Sequence, residues 1–348
     1  MLNFDLIEPA VLTGFIRELP APAQYTLNTW LPDRNIQDIE AAFTTAFRRN
    51  RAAMFRAFDA ETPVGQRDDF ARQRVALPPI GQKTLVGEEE RLRLEMLRSG
   101  GDNTAALIQA LYNDAQINTN AVLARMELAR GQVLTTGKFT LSGENGLQGI
   151  EADFGVASSH LPTAPTEWDD HATSDPLENM RDWADLYTDD AGEPPAFALT
   201  SRQAIGHMLR NEAILSQFAN AGGGTPSVIT RAQLAALLDA NDLPQLVEYN
   251  TQVYTYAGVS TRVIPVNKMI YLPANPASLG NTFWGITAEA LELVGMNNPQ
   301  LTFAQAPGLV GTVTRSGDPV RTWTHVAAIG MPVLAAPERL LTATLWTP

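Results

Sequence analysis

The sequence predicts an α+β protein in which a helix-and-sheet body carries long projecting segments. Residues 1–35 are punctuated by Pro9, Pro20, Pro22 and Pro32. One long run of helical periodicity lies between Gly101 and Gly137, and alternating apolar and polar residues flank turn signals both after that run and near the C-terminus. With 348 residues, 45% of them hydrophobic and 18% charged, the chain can bury a core and does not have the composition of a disordered protein.

The elements follow in order. The prolines of 1–35 forbid a long helix there and predict an extended arm laid over another surface. From Asn35 to Arg51, Ile36, Ile39, Ala42, Phe43 and Phe47 recur at helical spacing and predict a short amphipathic helix that anchors the arm. Residues 48–87 break that rhythm at Pro63-Val64-Gly65 and again at Pro78-Pro79 and Gly81, which predicts a long hairpin. Within it, residues 48–82 carry seven arginines against four carboxylates, a local charge of +3 in an acidic chain. After Ser99-Gly100-Gly101, with Asp102 or Asn103 as cap, Leu107, Ile108, Leu111, Ala115, Val122, Met126, Ala129 and Val133 follow one face until Gly137. At 1.5 Å per residue this spine helix is roughly 45 Å long.

Gly137–Gly146 and Ile150–Phe154 read as strand, turn and strand. Asp175-Pro176 opens a helix with Leu177, Met180, Trp183, Ala184 and Tyr187 on one face. Helices are expected near Ser201–Phe218 and Thr230–Ala240, and strands near Gln245–Thr255, Val259–Val266 and Lys268–Leu272. From Gly311 onward a strand, a Gly-Asp-Pro turn, a second strand and a last strand after Pro337-Glu338 complete the chain.

The net charge of −13 argues against a protein built to neutralise phosphates in a nucleic-acid groove. Residues 144–193 hold thirteen carboxylates against Arg181 alone, a net −12, so nearly all of the net charge sits there. There is no cysteine, hence no disulfide, thiolate metal site or cysteine nucleophile, which fits a reducing compartment. The N-terminus lacks a basic signal-peptide region and no apolar run reaches the roughly 18 residues of a membrane helix, so a soluble protein made in the cytoplasm is expected.

No P-loop, dinucleotide fingerprint, His-Glu-x-x-His or Gly-x-Ser-x-Gly motif occurs. Asp153-Phe154-Gly155 spells a kinase metal motif without the loops that must accompany it and reads as a strand end. Trp168-Asp169-Asp170-His171 offers oxygen and imidazole donors on paper, the basis of one competing reading, a soluble metal-dependent hydrolase. His207 and His325 fall in a predicted helix and strand and read as structural. No catalytic, cofactor-binding or metal-binding residue is nominated, and no cofactor or enzyme activity is expected.

Short segments in a fixed order carry a family resemblance. They are Glu8-Pro9 followed by Phe15-Ile16-Arg17-Glu18, Gly137–Glu144 (GKFTLSGE), Asp153-Phe154-Gly155, Thr166-Glu167-Trp168, Gly317-Asp318-Pro319 and Pro337-Glu338. Together the chain resembles the major capsid proteins of tailed phages, in particular the lambda-type E family with the Hong Kong 97-type capsid fold. The resemblance implies an N-terminal arm at 1–47 and an E-loop hairpin at 48–87. It also implies a peripheral domain of 88–175 and 310–348, where the spine helix lies on a β-sheet, with an axial domain at 176–309 inserted between its halves. It implies self-assembly as hexamers and pentamers into an icosahedral shell around double-stranded DNA that is enclosed without sequence-specific binding. Scaffolding and portal proteins are implied partners, a decoration protein is a further one, assembly takes place in the host cytoplasm, and no membrane is involved. An encapsulin-type compartment shell of the same fold is the alternative.

Two expectations go beyond the family. Some shells of this fold crosslink neighbours through an E-loop lysine, but residues 48–82 contain none, so no such crosslink is expected, and reinforcement falls to a decoration protein or to the arm and loop. The +3 hairpin and the −12 segment are natural partners across a subunit boundary, with Arg67, Arg72 and Arg74 supplying charge and Phe55, Phe58 and Phe70 supplying packing. Repulsion of packaged DNA and binding of divalent cations are other uses of the acidic segment, and the sequence does not choose among them.

Overall fold

The computed structural model describes residues 8–46, 70–87, 104–141, 143, 149–219, 224–295, 306–317 and 320–347. The chain opens with α1 (Pro9–Glu18), where Pro9 sits at the first helical turn, the place where a missing N–H costs nothing. The proline-dense segment is therefore not wholly extended. Helix α1 buries Leu12, Thr13 and Ile16, and the extended backbone of Leu19 and the prolines at 20 and 22 follow it.

Over the described part of the helix expected at 35–51, residues 35–46, no helix forms. Its place is taken by β1 (Asp33–Asn35) and β2 (Glu40–Ala46), the latter paired antiparallel with β3 (Phe70–Ala76). Ile36 is half-buried and Ile39 is 61% exposed, so the apolar spacing is not a buried helical stripe. The Asp38 carboxylate accepts from the backbone N–H of Ile39 and Glu40 and turns the chain, and pairing with β3 satisfies the backbone beyond it. The antiparallel pairing thus takes in Glu40–Ala46, ahead of residue 48. The far part of the hairpin, 47–69, including the Pro63 turn, lies outside the described residues.

The return leg continues into β4 (Pro79–Val86), and then comes the spine helix α2 (Thr104–Thr136). Its 33 residues correspond to about 50 Å. Gly137 closes it at φ +69°, and a Cβ there would lie 2.5 Å from the Val156 side chain. Strands β5 (Lys138–Leu141) and β6 (Ile150–Asp153) pair as the sequence predicts.

Next come α3 (Pro176–Ala191), β7 (Phe197–Thr200), α4 (Arg202–Met208), α5 (Glu212–Ser216), α6 (Arg231–Ala240), β8 (Gln245–Glu248), β9 (Gln252–Tyr254), β10 (Ser260–Arg262) and β11 (Lys268–Leu272). The helix expected over 201–218 is two helices, because Asn211 caps the second of them through Ile214 N–H while donating to Ser174. Strand β12 (Gly280–Trp284), helix α7 (Ala288–Gly295), and β13 (Val310–Gly317), β14 (Val320–Leu334) and β15 (Leu341–Thr344) complete the described elements.

Two sheets organise the body. The first has the order β1-β12-β14-β13, with β4 also paired to the long β14. The second has the order β15-β11-β7-β8, with β7 and β8 parallel. Two pairings cross the boundary at 309/310: β12 with β14, and β11 with β15. Helix α2 lies on the first sheet through Leu111, Ala115, Val122 and Met126, and its far end carries Val133 and Leu134 into a core shared with Ile270 and Leu272 of the second. Trp168, Met180, Tyr187 and Tyr271 fill a second core between α3 and that second sheet.

A buried polar network joins these layers. Glu127 of α2 is fully buried, and its Oε1 accepts from the backbone N–H of Leu27 at 3.0 Å and from the Tyr249 hydroxyl at 2.8 Å. Its other oxygen accepts from Arg130 at 3.2 Å, and Arg130 donates onward to Thr282 and to Asp33. One turn further, a Cβ on Gly131 would lie 2.3 Å from the Val263 carbonyl oxygen, so the helix and the 263 backbone meet with no room for a side chain. Removing Glu127 leaves the buried Leu27 N–H and the Tyr249 hydroxyl without their acceptor, and Arg130 with Asp33 as its remaining carboxylate. Glu127→Ala is expected to cost about 3–5 kcal/mol, read as a lowered denaturation midpoint of the isolated subunit; an unchanged midpoint would contradict the role given to this network.

Candidate assembly surface

The acidic segment separates into used and free charge. Asp153 is 2.7 Å from Lys138, Asp190 bonds His160 at 2.9 Å, and Glu193 is 3.2 Å from Arg339. Asp175 caps α3 through Leu177 and Glu178 N–H, and Glu167 accepts from Thr347 N–H. Hydrogen bonding from Lys138 holds the Asp153 carboxyl below its ordinary range, and hydrogen bonding from Thr347 does the same for Glu167. Four of the others form a stripe on α3. Its apolar face buries Leu177, Met180, Trp183 and Tyr187, and this turns Glu178, Asp182, Asp185 and Asp189 outward, all exposed and with no ion pair among the described residues.

Sequence reasoning missed the opposite charge. At the C-terminal ends of the parallel strands β7 and β8, an open cleft of about 770 Å³ is lined by Arg202, Arg210 and Arg262, with Gln203, His207 and Asn250. The carboxylate of Glu248, also on its wall, is already held by Arg231 and by Asn250. Arg202 and Arg210 lie eight apart around α4, a spacing visible in the sequence, but Arg262 arrives from β10 and only the tertiary fold brings it there.

Of the hairpin residues nominated from sequence, Arg67, Phe55 and Phe58 lie outside the described residues. Phe70 and Arg72 take register positions opposite Ala46 and Thr44. Arg74 stands opposite Ala42, and its Nη1 is 3.9 Å from Glu40, an exposed pair within the hairpin itself. Nothing in the described chain brings these residues to the acidic segment.

The Trp168–His171 cluster does not converge on one point. Trp168 is buried and donates to Asn179, Asp170 accepts from Ala172, Thr173 and the Thr173 hydroxyl, and His171 meets His207 at 2.9 Å. No group of three His, Asp or Glu side chains among the described residues is arranged to hold a metal ion. No described helix is long and apolar enough to cross a membrane.

The two histidines with shifted protonation make stability depend on pH. Burial lowers the His207 imidazole below its ordinary value near 6.5, with His171 and Arg210 adding to the effect and Asp169 opposing it. Burial likewise lowers His325, opposed by Glu289 and assisted by Lys83. In both cases the unfolded chain takes up the proton first as pH falls, so their contribution is complete above about pH 6.5 and is lost below it. The denaturation midpoint is expected to fall between pH 7 and pH 5, and less steeply in His207→Gln/His325→Gln; a parent midpoint flat over that range would contradict the assignment.

The family model described as phage major capsid protein E matches residues 8–345. A prophage protein from Escherichia coli CFT073, described as a capsid protein, is similar in structure with a TM-score of 0.63 at 14% identity, covering 97% of this chain and 99% of its own. A phage-related protein from Bordetella bronchiseptica RB50 gives 0.53 at 12% identity, with 96% of each chain covered. An encapsulin from Synechococcus elongatus PCC 7942 gives 0.45 at 12% identity, covering 94% of this chain and 91% of its own. No curated protein sequence matches the chain.

Proposed function

The chain belongs to the phage major capsid protein E family, which makes it a shell protein with the Hong Kong 97-type fold, and from that premise we propose that it assembles as hexamers and pentamers into an icosahedral head around double-stranded DNA. The observation that carries this is the family match over residues 8–345. That match also favours a phage head over an encapsulin-type compartment of the same fold. The role is structural. Scaffolding and portal proteins act during assembly in the host cytoplasm, and the DNA is enclosed without sequence-specific contacts, as the net charge of −13 favours.

In this reading residues 1–47 are the N-terminal arm, whose last strand β2 pairs with β3, and residues 48–87, which include β3 and β4, are the E-loop. Residues 88–175 and 310–348, around α2, are the peripheral domain and residues 176–309 the axial domain, with β12 and β15 pairing across that division. The hairpin lies across a neighbouring subunit, with Phe55, Phe58 and Phe70 packing and Arg67, Arg72 and Arg74 meeting acidic side chains of that neighbour. Exposed pairs contribute only about 0–1 kcal/mol each, so they set register more than affinity.

Purified chain, examined by size-exclusion chromatography and electron microscopy with and without its scaffold, is expected to form rings or closed shells. A compact monomer under all conditions would overturn the proposal. Charge reversal of Arg67, Arg72 and Arg74 is expected to weaken assembly and reduce its salt dependence; no change in either would remove the hairpin charges from the account. Residues 48–82 contain no lysine, and Lys83 is seated in β4 with its Nζ 4.8 Å from the Trp323 ring centre. Shells boiled in detergent should therefore run as single chains on a gel, and a ladder of covalent oligomers would contradict this; a decoration protein or the arm and loop supply the reinforcement.

A further inference from the structure

We propose that the carboxylate stripe of α3 in one copy of this chain seats in the arginine cleft of the next copy, a head-to-tail contact that repeats around a ring. The inference rests on the assembly reading above and names a contact surface within it. Glu178, Asp182, Asp185 and Asp189 recur at steps of four, three and four, so they form one ridge along α3, exposed and without an ion-pair partner among the described residues. The cleft is the complementary shape and charge. Its three guanidinium groups, of Arg202, Arg210 and Arg262, are exposed and have no ion pair among the described residues, and its one acidic wall residue is engaged by Arg231.

The arrangement selects the partner. A stripe meeting another stripe, or a cleft another cleft, sets like charges together, so a two-fold contact through either surface is disfavoured. A stripe meeting a cleft uses two different patches of one chain, and such a contact generates a ring when the rotation closes. The hairpin is a weaker partner for the stripe, because Arg74 is already beside Glu40 within its own hairpin. Pairs of this kind are individually weak and screened by salt, so their effect is on register and on the rate of ring formation.

The test uses the full-length chain and measures the fraction in rings or shells by sedimentation velocity and electron microscopy. Reversal of the cleft (Arg202→Glu/Arg210→Glu/Arg262→Glu) and reversal of the stripe (Glu178→Arg/Asp182→Arg/Asp185→Arg/Asp189→Arg) are each expected to lower that fraction at least tenfold, with the circular dichroism of the subunit unchanged. Both reversals in one chain should restore it. Mixing the two singly reversed chains should also restore six-membered rings, since alternating copies again place opposite charges together, but not five-membered ones. The neutral set Arg202→Gln/Arg210→Gln/Arg262→Gln should give an intermediate loss, and it keeps the test readable if reversal unfolds the chain. Assembly of the singly reversed chains at the parent level would overturn the inference. So would rescue of the reversed stripe by Arg67→Glu/Arg72→Glu/Arg74→Glu in place of the cleft reversal. A parent chain that never assembles would overturn the shell reading itself, and this contact with it.

Discussion

A fully buried carboxylate on the spine helix, Glu127, ties the layers of this protein together. Its two oxygens receive hydrogen bonds from the segment leading to β1, from the spine helix itself and from Tyr249 just beyond β8. Arg130 extends the connection to Thr282 of β12 and to Asp33. A buried ion pair is not an efficient source of net stability, because desolvation offsets most of its Coulombic attraction. Its value lies in specificity: an apolar surface tolerates sliding, whereas these donors and acceptors are satisfied in one register of helix against strand. Trp284 adds a second donor to Asp33, and Gly131 lets the 263 backbone come within touching distance of the helix.

From that register follows the distribution of charge. Helix α3 must bury Leu177, Met180, Trp183 and Tyr187 against the second sheet, and the helical period then leaves its carboxylates no direction but outward. The parallel pair β7 and β8 ends on one side of that sheet, and the chain that leaves β7 begins α4 with Arg202. The acidic ridge and the basic cleft are therefore products of core packing, although neither contributes to the core. This is how a chain with a net charge of −13 presents a concentrated positive surface.

Much of this was legible in the sequence. The spine helix announced itself through its period and its Gly stops, and α3 through Asp175-Pro176 and its apolar face. The β5–β6 and β13–β14 pairs were readable from alternation around Gly-rich turns. Elements decided by tertiary pairing were not. Residues 36–47 have a spacing that suits a helix, yet pairing with β3, thirty residues away, makes Glu40–Ala46 strand. Strand β7 is too short to show a period, and β12 owes its place to β1 on one side and β14 on the other. The acidic segment was visible as composition, but which carboxylates are free depends on Lys138, His160 and Arg339, which only folding brings to them. The cleft needed Arg262, sixty residues from Arg202.

The central claim is that charge segregated by core packing becomes the contact between copies. A cryo-EM reconstruction of the assembled particle tests it most directly. The account predicts that the acidic face of α3 lies within ion-pair distance of Arg202, Arg210 and Arg262 of the adjacent copy, with the β2–β3 hairpin laid across a neighbour. A particle in which the stripe and the cleft both face solvent would contradict it.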